Sequence, residues 1–324
     1  MSYNKIEGTY PSSDGESTVS YNIYIPEGNP RAVIQICHGM WEHMGRYESN
    51  GLVKSLTDAG LVVCGNDHVG HGRTADEKSL GHFTDHRVMT DDMATLGQTV
   101  KKRYPHLPYI LLGHGFGALL VRSAATERGD IDGVVLVGTT AGDTPLGMAS
   151  FSASAISVLR GKTHRSTYLR GLLTGKLNSG YLNEKDSFSY RSSLPEVRSS
   201  VRYDGKCSLE YSAAAYKAVI ALAKEVCSSE WVSRVPLSLP VYLMWGENDP
   251  ATENGEGAKM LLSALEDREI NELRGDSFAG RHDIFSDVDR ENAIKKLIEW
   301  IDGVCEGVVA CRSYGALSFG RVDY

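Results

Sequence analysis

The chain has 324 residues, of which 41% are hydrophobic and 23% charged, and its formal net charge is −7. This length and composition are typical of a globular protein with a large core, formed by one domain or by one domain with an insertion. A net negative charge argues against binding to nucleic acid and to anionic lipid head groups. No apolar run reaches membrane-spanning length and the N-terminus lacks the apolar segment of a signal peptide. We therefore expect a cytoplasmic protein without a transmembrane segment.

The six cysteines are scattered and form no CxxC pair. Cys37 and Cys64 lie in apolar runs of the kind that form strands. The sequence therefore predicts that these two are buried free thiols.

Predicted elements alternate between apolar strands and amphipathic helices. The chain begins with two strands around a turn at residues 12–15. Further strands are predicted at 32–37, 61–65, 109–112, 133–138, 241–245 and 269–273. Helices are predicted at 47–59, 90–103, 257–265 and 292–301. Strands that are apolar throughout and alternate with helices are typical of a parallel sheet covered on both faces.

The pattern changes between residues 140 and 239, which are rich in Ser, Tyr and Arg and have helical pieces, the clearest at 206–226. We predict an α/β core of residues 1–139 and 240–303, interrupted by a cap at 140–239. Such an insertion lies over the carboxyl ends of the strands, where open α/β sheets bind ligands. Residues 304–324 form a Gly-rich C-terminal tail whose structure the sequence does not indicate.

A strand, a Gly-rich corner and a helix follow one another at residues 109–122. This order is the pattern of a nucleophile elbow, G-x-S-x-G. Gly113 and Gly117 fit the pattern, because the corner is too tight for side chains beside the neighbouring backbone. The central position departs from it, since Gly115 stands where the motif has its nucleophilic serine.

The other parts of an acyl-transfer site follow in the order expected on this scaffold, which is nucleophile, acid, histidine. His282 is the one histidine of ten that follows the insertion, and it lies in a loop. Asp249 directly follows the predicted strand 241–245 and is placed to accept the N–H of His282, with Glu247 as the local competitor. The amides of Met40 and Phe116 are the candidate oxyanion donors. The structural alternatives are an exposed loop histidine, a turn-forming aspartate and an ordinary tight loop.

Six short motifs carry a family resemblance. They are His-Gly-Met-Trp-Glu-His-Met-Gly-Arg-Tyr at 38–47, Asp-His-Val-Gly-His-Gly at 67–72, Gly-His-Phe-Thr-Asp at 81–85, Leu-Gly-His-Gly-Phe-Gly at 112–117, Gly-Glu-Asn-Asp-Pro at 246–250 and Gly-Arg-His at 280–282. In content and order they resemble monoacylglycerol lipase and lysophospholipase-like α/β-hydrolases. The resemblance covers about residues 5–302 and implies an α/β-hydrolase fold: a mostly parallel central sheet, helices on both faces and a helical cap insertion.

The resemblance also implies roles. The substrate would be a small acyl ester, or a fatty-acyl ligand, whose apolar chain lies beneath the cap. Met40 and Phe116 match the family's oxyanion positions, Asp249 and His282 its acid and base, and Gly115 its vacated nucleophile position. Three further residues are candidates for the substrate pocket: Trp41, which fits core packing equally well, His38 and His114.

Three interpretations of Gly115 remain open. The first is an ester hydrolase whose serine was deliberately replaced, with turnover lowered by ~10⁴–10⁶. The second is a natural pseudoenzyme that binds a small apolar ligand under the cap. The third is a dinucleotide-binding oxidoreductase, because Gly113, Gly115 and Ala118 match G-x-G-x-x-G/A. That fingerprint needs an acid at the end of the next strand, whereas Asp132 precedes it.

A metal site and a cysteine nucleophile are the remaining alternatives. The histidines at 38, 43, 68 and 71 lie close in sequence, but no H-E-x-x-H helix is present and the family turns account for them. Cys37 is disfavoured as a nucleophile because it ends a buried strand on the wrong loop. The sequence predicts no metal and no cofactor, and it carries no motif for head group, acyl length or oligomeric state.

Overall fold

Eight strands form one mostly parallel sheet in the computed structural model, which describes residues 3–140, 146–175, 177–207 and 210–318. The predicted α/β-hydrolase-type sheet with helices around it is confirmed. The strands are β1 (Tyr3–Pro11), β2 (Thr18–Pro26), β3 (Ala32–Cys37), β4 (Leu61–Asn66), β5 (Tyr109–His114), β6 (Gly133–Val137), β7 (Val241–Gly246) and β8 (Leu273–Phe278).

The sheet order is β1-β2-β4-β3-β5-β6-β7-β8. The first two strands pair antiparallel and β2 pairs antiparallel with β4, while the other neighbours are parallel. Every residue of β3 to β7 is buried, as expected for strands covered on both faces. Cys37 and Cys64 are buried and unpaired, which confirms that prediction. Because β5, β6 and β7 are parallel neighbours, their carboxyl ends meet at one edge of the sheet.

Eleven helices are described in this part of the chain. They are α1 (Gly45–Ser49), α2 (Leu52–Asp58), α3 (His86–Arg103), α4 (Phe116–Glu127), α5 (Leu146–Arg160), α6 (Thr167–Thr174), α7 (Pro195–Tyr203), α8 (Ala213–Val226), α9 (Ser229–Arg234), α10 (Glu256–Asp267) and α11 (Arg290–Ser318). Short 3₁₀ turns occur at Ser179–Glu184, Pro250–Thr252 and Ile284–Ser286. None of the helices within the described ranges is long and apolar enough to cross a membrane.

Three predicted elements are wrong in their bounds. The last strand runs over Leu273–Phe278, because Glu269 has a φ of +62° and donates its amide to Glu266, so it belongs to a turn. The helix predicted at 47–59 is two helices, broken at Gly51, which has a φ of +84°. The helix predicted from 206 begins at Ala213, with Ser212 as its side-chain cap.

The last helix, predicted to end at residue 301, is the fourth correction. The last helix continues beyond residue 303 to Ser318, because Leu297, Ile301 and Val304 continue one buried stripe of helical spacing along the sheet. The predicted tail residues 319–324 lie outside the described residues.

Helices α5 to α9 all lie between β6 and β7, in the segment predicted as a cap. Helix α8 packs against α4 and α5, so it joins this segment to the core. Residues 141–145, 176 and 208–209 of the segment lie outside the described residues. The division into core and cap at 140 and 239 stays a proposal.

Candidate active site

The corner between β5 and α4 consists of Gly115 alone. Its φ of +54° and ψ of −112° are not values that ordinary residues adopt, and its amide donates to the Val137 carbonyl at 2.9 Å. The two flanking glycines are required by contact distances. A Cβ at Gly113 would lie 2.4 Å from the Gly117 carbonyl oxygen, and one at Gly117 would lie 2.0 Å from the Cys37 carbonyl oxygen. The predicted steric role of both is confirmed.

His282 and Asp249 form a hydrogen-bonded pair beside this corner. Asp249 follows β7, is fully buried, and accepts the Ala251 amide on Oδ1 at 2.8 Å. Its Oδ2 accepts the Nδ1–H of His282 at 2.9 Å, which leaves Nε2 of His282 as a free acceptor. Gly138 makes room for the pair, since a Cβ there would lie 2.8 Å from His282 Cε1.

Nε2 of His282 faces the Gly115 corner. An ideal Cβ on Gly115 would lie 2.9 Å from Nε2. A serine hydroxyl there would come within hydrogen-bond reach after a small shift of the imidazole ring, which is the geometry of a nucleophile and its general base. Glu247, the competing acid, instead accepts from Ser277 in an exposed position. The structure thus brings Gly115, Asp249 and His282 together.

The charge state of His282 depends on this pair. Burial would lower the pKa of His282, but the carboxylates of Asp249 and Asp283 outweigh burial and raise it. A raised pKa means that the pair stabilises the fold fully below about pH 6.5, the unfolded value, and that this contribution is lost as pH rises through the higher folded pKa.

We expect the imidazole of His282 to titrate above pH ~6.5 in the unaltered chain. Asp249→Asn should lower that midpoint, because the largest attractive charge beside the ring is removed. Proton NMR titration with His282→Gln as the assignment control measures this. A midpoint that does not move in Asp249→Asn would contradict the pairing.

Positive φ at Gly115 predicts a stability effect as well. Gly115→Ala should lower the free energy of unfolding by about 1–3 kcal/mol, because a Cβ strains this backbone conformation. Gly129→Ala is the matched control, since a Cβ there meets no atom within 4 Å and its φ is not positive. Urea denaturation compares the two variants. Equal stability of both would show that a Cβ causes no strain at the corner and would contradict this prediction.

Two backbone amides are available to a developing oxyanion. Neither the Met40 amide nor the Phe116 amide has a hydrogen-bond acceptor in the part of the chain that the structure describes. Phe116 is the first residue of α4, where helix amides are unpaired and the helix dipole favours negative charge. Met40 precedes Trp41, whose φ of +57° is an outlier for a bulky residue. A backbone conformation that disfavours side chains thus lies beside both donors, and at Trp41 it is occupied by a bulky residue, as is common at functional sites.

The three pocket candidates are all buried. Trp41 packs on the Tyr211 ring with centroids 5.6 Å apart, and it belongs to the core cluster. His38 donates from Nδ1 to the Gly39 carbonyl and accepts the His68 amide on Nε2, so it organises its loop. Their role as pocket residues stays a prediction.

His114 lies between the Gly115 corner and the loop of residues 280–287 that carries His282, which we call the histidine loop. Its ring is stacked on His282 with centroids 4.6 Å apart, and its Nε2 donates to the His282 carbonyl at 3.1 Å. These contacts place His114 where it supports the position of His282.

Sequence reasoning missed the charged groups behind the site. Glu42, Arg46, Asp283 and Arg191 form a buried ion cluster. The first two belong to the motif at 38–47, which was a signal for Glu42 and Arg46. Arg191 lies in the cap segment, where the sequence shows no motif.

Two other groups of residues bear on the dinucleotide and metal alternatives. Asp132 accepts the Tyr109 amide at the opposite end of β5 from Gly115, so it does not face the corner as a ribose-binding acid would. A ring nitrogen of His43, a carboxylate oxygen of Asp204 and Sγ of Cys207 lie within 4.8 Å of one another. The His43 and Asp204 atoms are hydrogen-bonded at 2.8 Å, which satisfies both without an ion.

Comparison with known proteins places these features in a family. The family model described as serine aminopeptidase, S33, matches residues 28–289. A monoglyceride lipase of Rattus norvegicus is 34% identical over 164 residues, which are 50% of this chain and 50% of that protein. A monoacylglycerol lipase of Mycolicibacterium smegmatis is 34% identical over 125 residues, 38% of this chain and 43% of that protein. The chain thus spans about half the length of these curated relatives.

Among solved structures, a highly thermostable carboxyl esterase from Bacillus coagulans in complex with glycerol has a TM-score of 0.87 and 26% identity. The superposition covers 93% of this chain and 99% of the esterase. The resemblance to monoacylglycerol lipase-like hydrolases, predicted from six motifs, is thereby confirmed. The chain belongs to the serine aminopeptidase S33 family and has the α/β-hydrolase fold.

Proposed function

We propose that this chain carries the site of a carboxylic ester hydrolase that acts by acyl transfer and that lacks its nucleophile. The observation that carries the proposal is the His282–Asp249 pair, hydrogen-bonded at 2.9 Å, with Nε2 of His282 directed at the Gly115 corner. The free amides of Met40 and Phe116 support it. An acid-fixed histidine facing the nucleophile position and two amide donors are parts that acyl transfer requires.

With serine at position 115, the reaction would follow from these parts. Nε2 of His282 would take the hydroxyl proton as the serine oxygen attacks the ester carbonyl. Asp249 would hold the ring tautomer, and the Met40 and Phe116 amides would stabilise the oxyanion. His282 would then return the proton to the leaving alcohol, and water would hydrolyse the acyl-enzyme by the same steps.

Monoacylglycerols or lysophospholipid-like acyl esters are the proposed substrate class, with the acyl chain beneath the cap. Two curated relatives are named monoglyceride or monoacylglycerol lipases, and the esterase with the same fold is described with glycerol, the alcohol part of a monoacylglycerol. Monoacylglycerols therefore come first in the assay.

The ester hydrolase activity of the unaltered chain, with Gly115, is proposed to be strongly impaired. Gly115 has no hydroxyl group, so His282 has no nucleophile to deprotonate, and triad members act as a unit. Gly115→Ser assayed on monoacylglycerols tests this proposal. If the serine variant has no esterase activity, the proposal fails.

A ligand-binding pseudoenzyme is the second candidate, because the pair and both oxyanion amides are retained around the missing hydroxyl. Calorimetry of the unaltered chain with a fatty acid and with a monoacylglycerol separates this candidate from an inert scaffold. Tight binding of NAD in the same experiment would favour the dinucleotide interpretation instead.

A further inference from the structure

A short segment of the cap region lies directly against the histidine loop. We call residues 189–193 the strap; all but Ser193 are buried. The His282 amide donates to the Tyr190 carbonyl at 3.2 Å, and the Asp283 amide donates to the Arg191 carbonyl at 2.7 Å. The backbone of the strap therefore holds the residue that carries the general base.

The strap is attached beyond these two bonds. Ser192 Oγ donates to the Ser286 carbonyl at 3.1 Å, and the Ser193 amide donates to Asp287 Oδ2 at 3.0 Å. From the other side, Arg281 Nη1 donates to the Ser189 carbonyl at 2.6 Å. The contacts cover the whole histidine loop, so strap and loop pack as one unit.

The Arg191 side chain extends this unit to the loop of residues 39–46, which carries the Met40 amide. This side chain is 3% exposed, and its guanidinium donates from Nη2 to the Met40 carbonyl at 2.8 Å. From Nη1 it donates to Glu42 Oε2 at 3.1 Å and to Asp283 Oδ2 at 3.4 Å. One planar group thus joins the loop with the Met40 amide to the loop with His282, which a lysine point charge cannot do bidentately.

Charge balance makes this contact hard to replace. The buried carboxylates of Glu42 and Asp283 face the guanidinium groups of Arg191 and Arg46. Burial alone would raise the pKa of both carboxyls, but the arginines and His114 hold both below their usual range. Without Arg191, two buried carboxylates would share one arginine, and burying an uncompensated charge is costly.

We propose that Arg191 is a positioning residue, which aligns the Met40 amide with the His282 ring by holding both loops from the cap side. This inference rests on the proposed function, since it concerns the alignment of that site. It predicts that the cap segment is part of the catalytic geometry as well as a cover for substrate.

The kinetic test uses the full chain with Gly115→Ser as background. Arg191→Gln should lower kcat on monoacylglycerol by about 10²-fold with KM changed less than ~3-fold, because misplacing the groups that meet the transition state costs about this much. Arg191→Lys keeps the positive charge but loses the bidentate guanidinium, so its kcat should lie between those of the parent and Arg191→Gln. Arg128→Gln is the matched control, because Arg128 is a mostly buried arginine paired with Asp130, remote from the site. An unchanged kcat in Arg191→Gln would overturn the proposal.

A pH profile separates positioning from general loss of structure. The groups facing His282 are Asp249 after β7, His114 at the end of β5, Asp283 on its own loop and Arg191 with Tyr190 from the strap. Arg191 opposes protonation of His282, and the base must be neutral. The acid limb of kcat/KM should therefore move to higher pH in Arg191→Gln and back toward the parent in Arg191→Lys. A limb that stays in place in Arg191→Gln counts against the proposal.

Hydrogen exchange in the unaltered chain distinguishes failure of this inference from failure of the proposed function. Arg191→Gln should speed exchange in both the 39–46 and 280–287 peptides, while Arg128→Gln should affect neither. If Gly115→Ser is inactive, the hydrolase proposal fails, and faster exchange in both peptides still supports the alignment role. Unchanged exchange in either peptide overturns the alignment role, whatever the activity.

Discussion

Gly115→Ser is expected to raise ester hydrolysis by on the order of 10⁴–10⁶ over the unaltered chain. The reason is the geometry around position 115. Nε2 of His282 is an unused acceptor that would lie 2.9 Å from a Cβ at position 115, and its other nitrogen is held by Asp249. One hydroxymethyl group would therefore complete the proposed arrangement of nucleophile, base, acid and oxyanion donors.

The measurement is initial-rate hydrolysis of a monoacylglycerol and of a short aryl ester. Gly115→Ala is the matched control, because it adds the same Cβ without the hydroxyl and should stay at the unaltered rate. His282→Ala in the serine background should remove the gain. A serine variant that hydrolyses these esters no faster than Gly115→Ala would contradict the hydrolase proposal.

Asp249→Asn in the Gly115→Ser background is expected to lower kcat by on the order of 10⁴. Asp249 is fully buried and accepts the Nδ1–H of His282, which keeps Nε2 free to take a proton. An amide NH₂ at this position donates instead, so it stabilises the tautomer with the proton on Nε2. The base would then be blocked with little change in shape.

Glu247→Gln is the matched control for this variant. Glu247 follows the same strand but accepts from Ser277 in an exposed position, so its replacement should leave kcat within about 2-fold. The comparison is a steady-state assay of both variants in parallel with their thermal unfolding. If Glu247→Gln lost the activity and Asp249→Asn kept it, the acid would be misassigned.

Secondary structure was predictable where a local pattern is strong. The five strands from β3 to β7 are apolar runs bounded by turn residues, and each lies close to its predicted position. The prediction failed at β8, an edge strand with Arg274 and Asp276, where burial is partial and the apolar pattern is weak. It also stopped α11 too early, because glycines mark helix ends only when the buried stripe ends with them.

The sequence predicted the residues of the candidate site itself but not the buried charged residues that pack behind it. Gly115, Asp249 and His282 each follow a strand, and the chain order of the fold indicates that they converge. Arg191 and Asp283 carry no such signal. Their roles depend on which distant segments pack together, and an arginine in a polar, Ser-rich segment resembles any surface arginine.

The sequence by itself determined the fold family, the elbow without its serine, and the order of the candidate residues, because these depend on short patterns and the connectivity of parallel strands. Only the tertiary structure decided three features: Nε2 of His282 faces Gly115, the amides of Met40 and Phe116 have no acceptor among the described residues, and the strap contacts the loops that carry Met40 and His282. Those facts depend on side-chain direction and long-range burial, which local sequence does not encode.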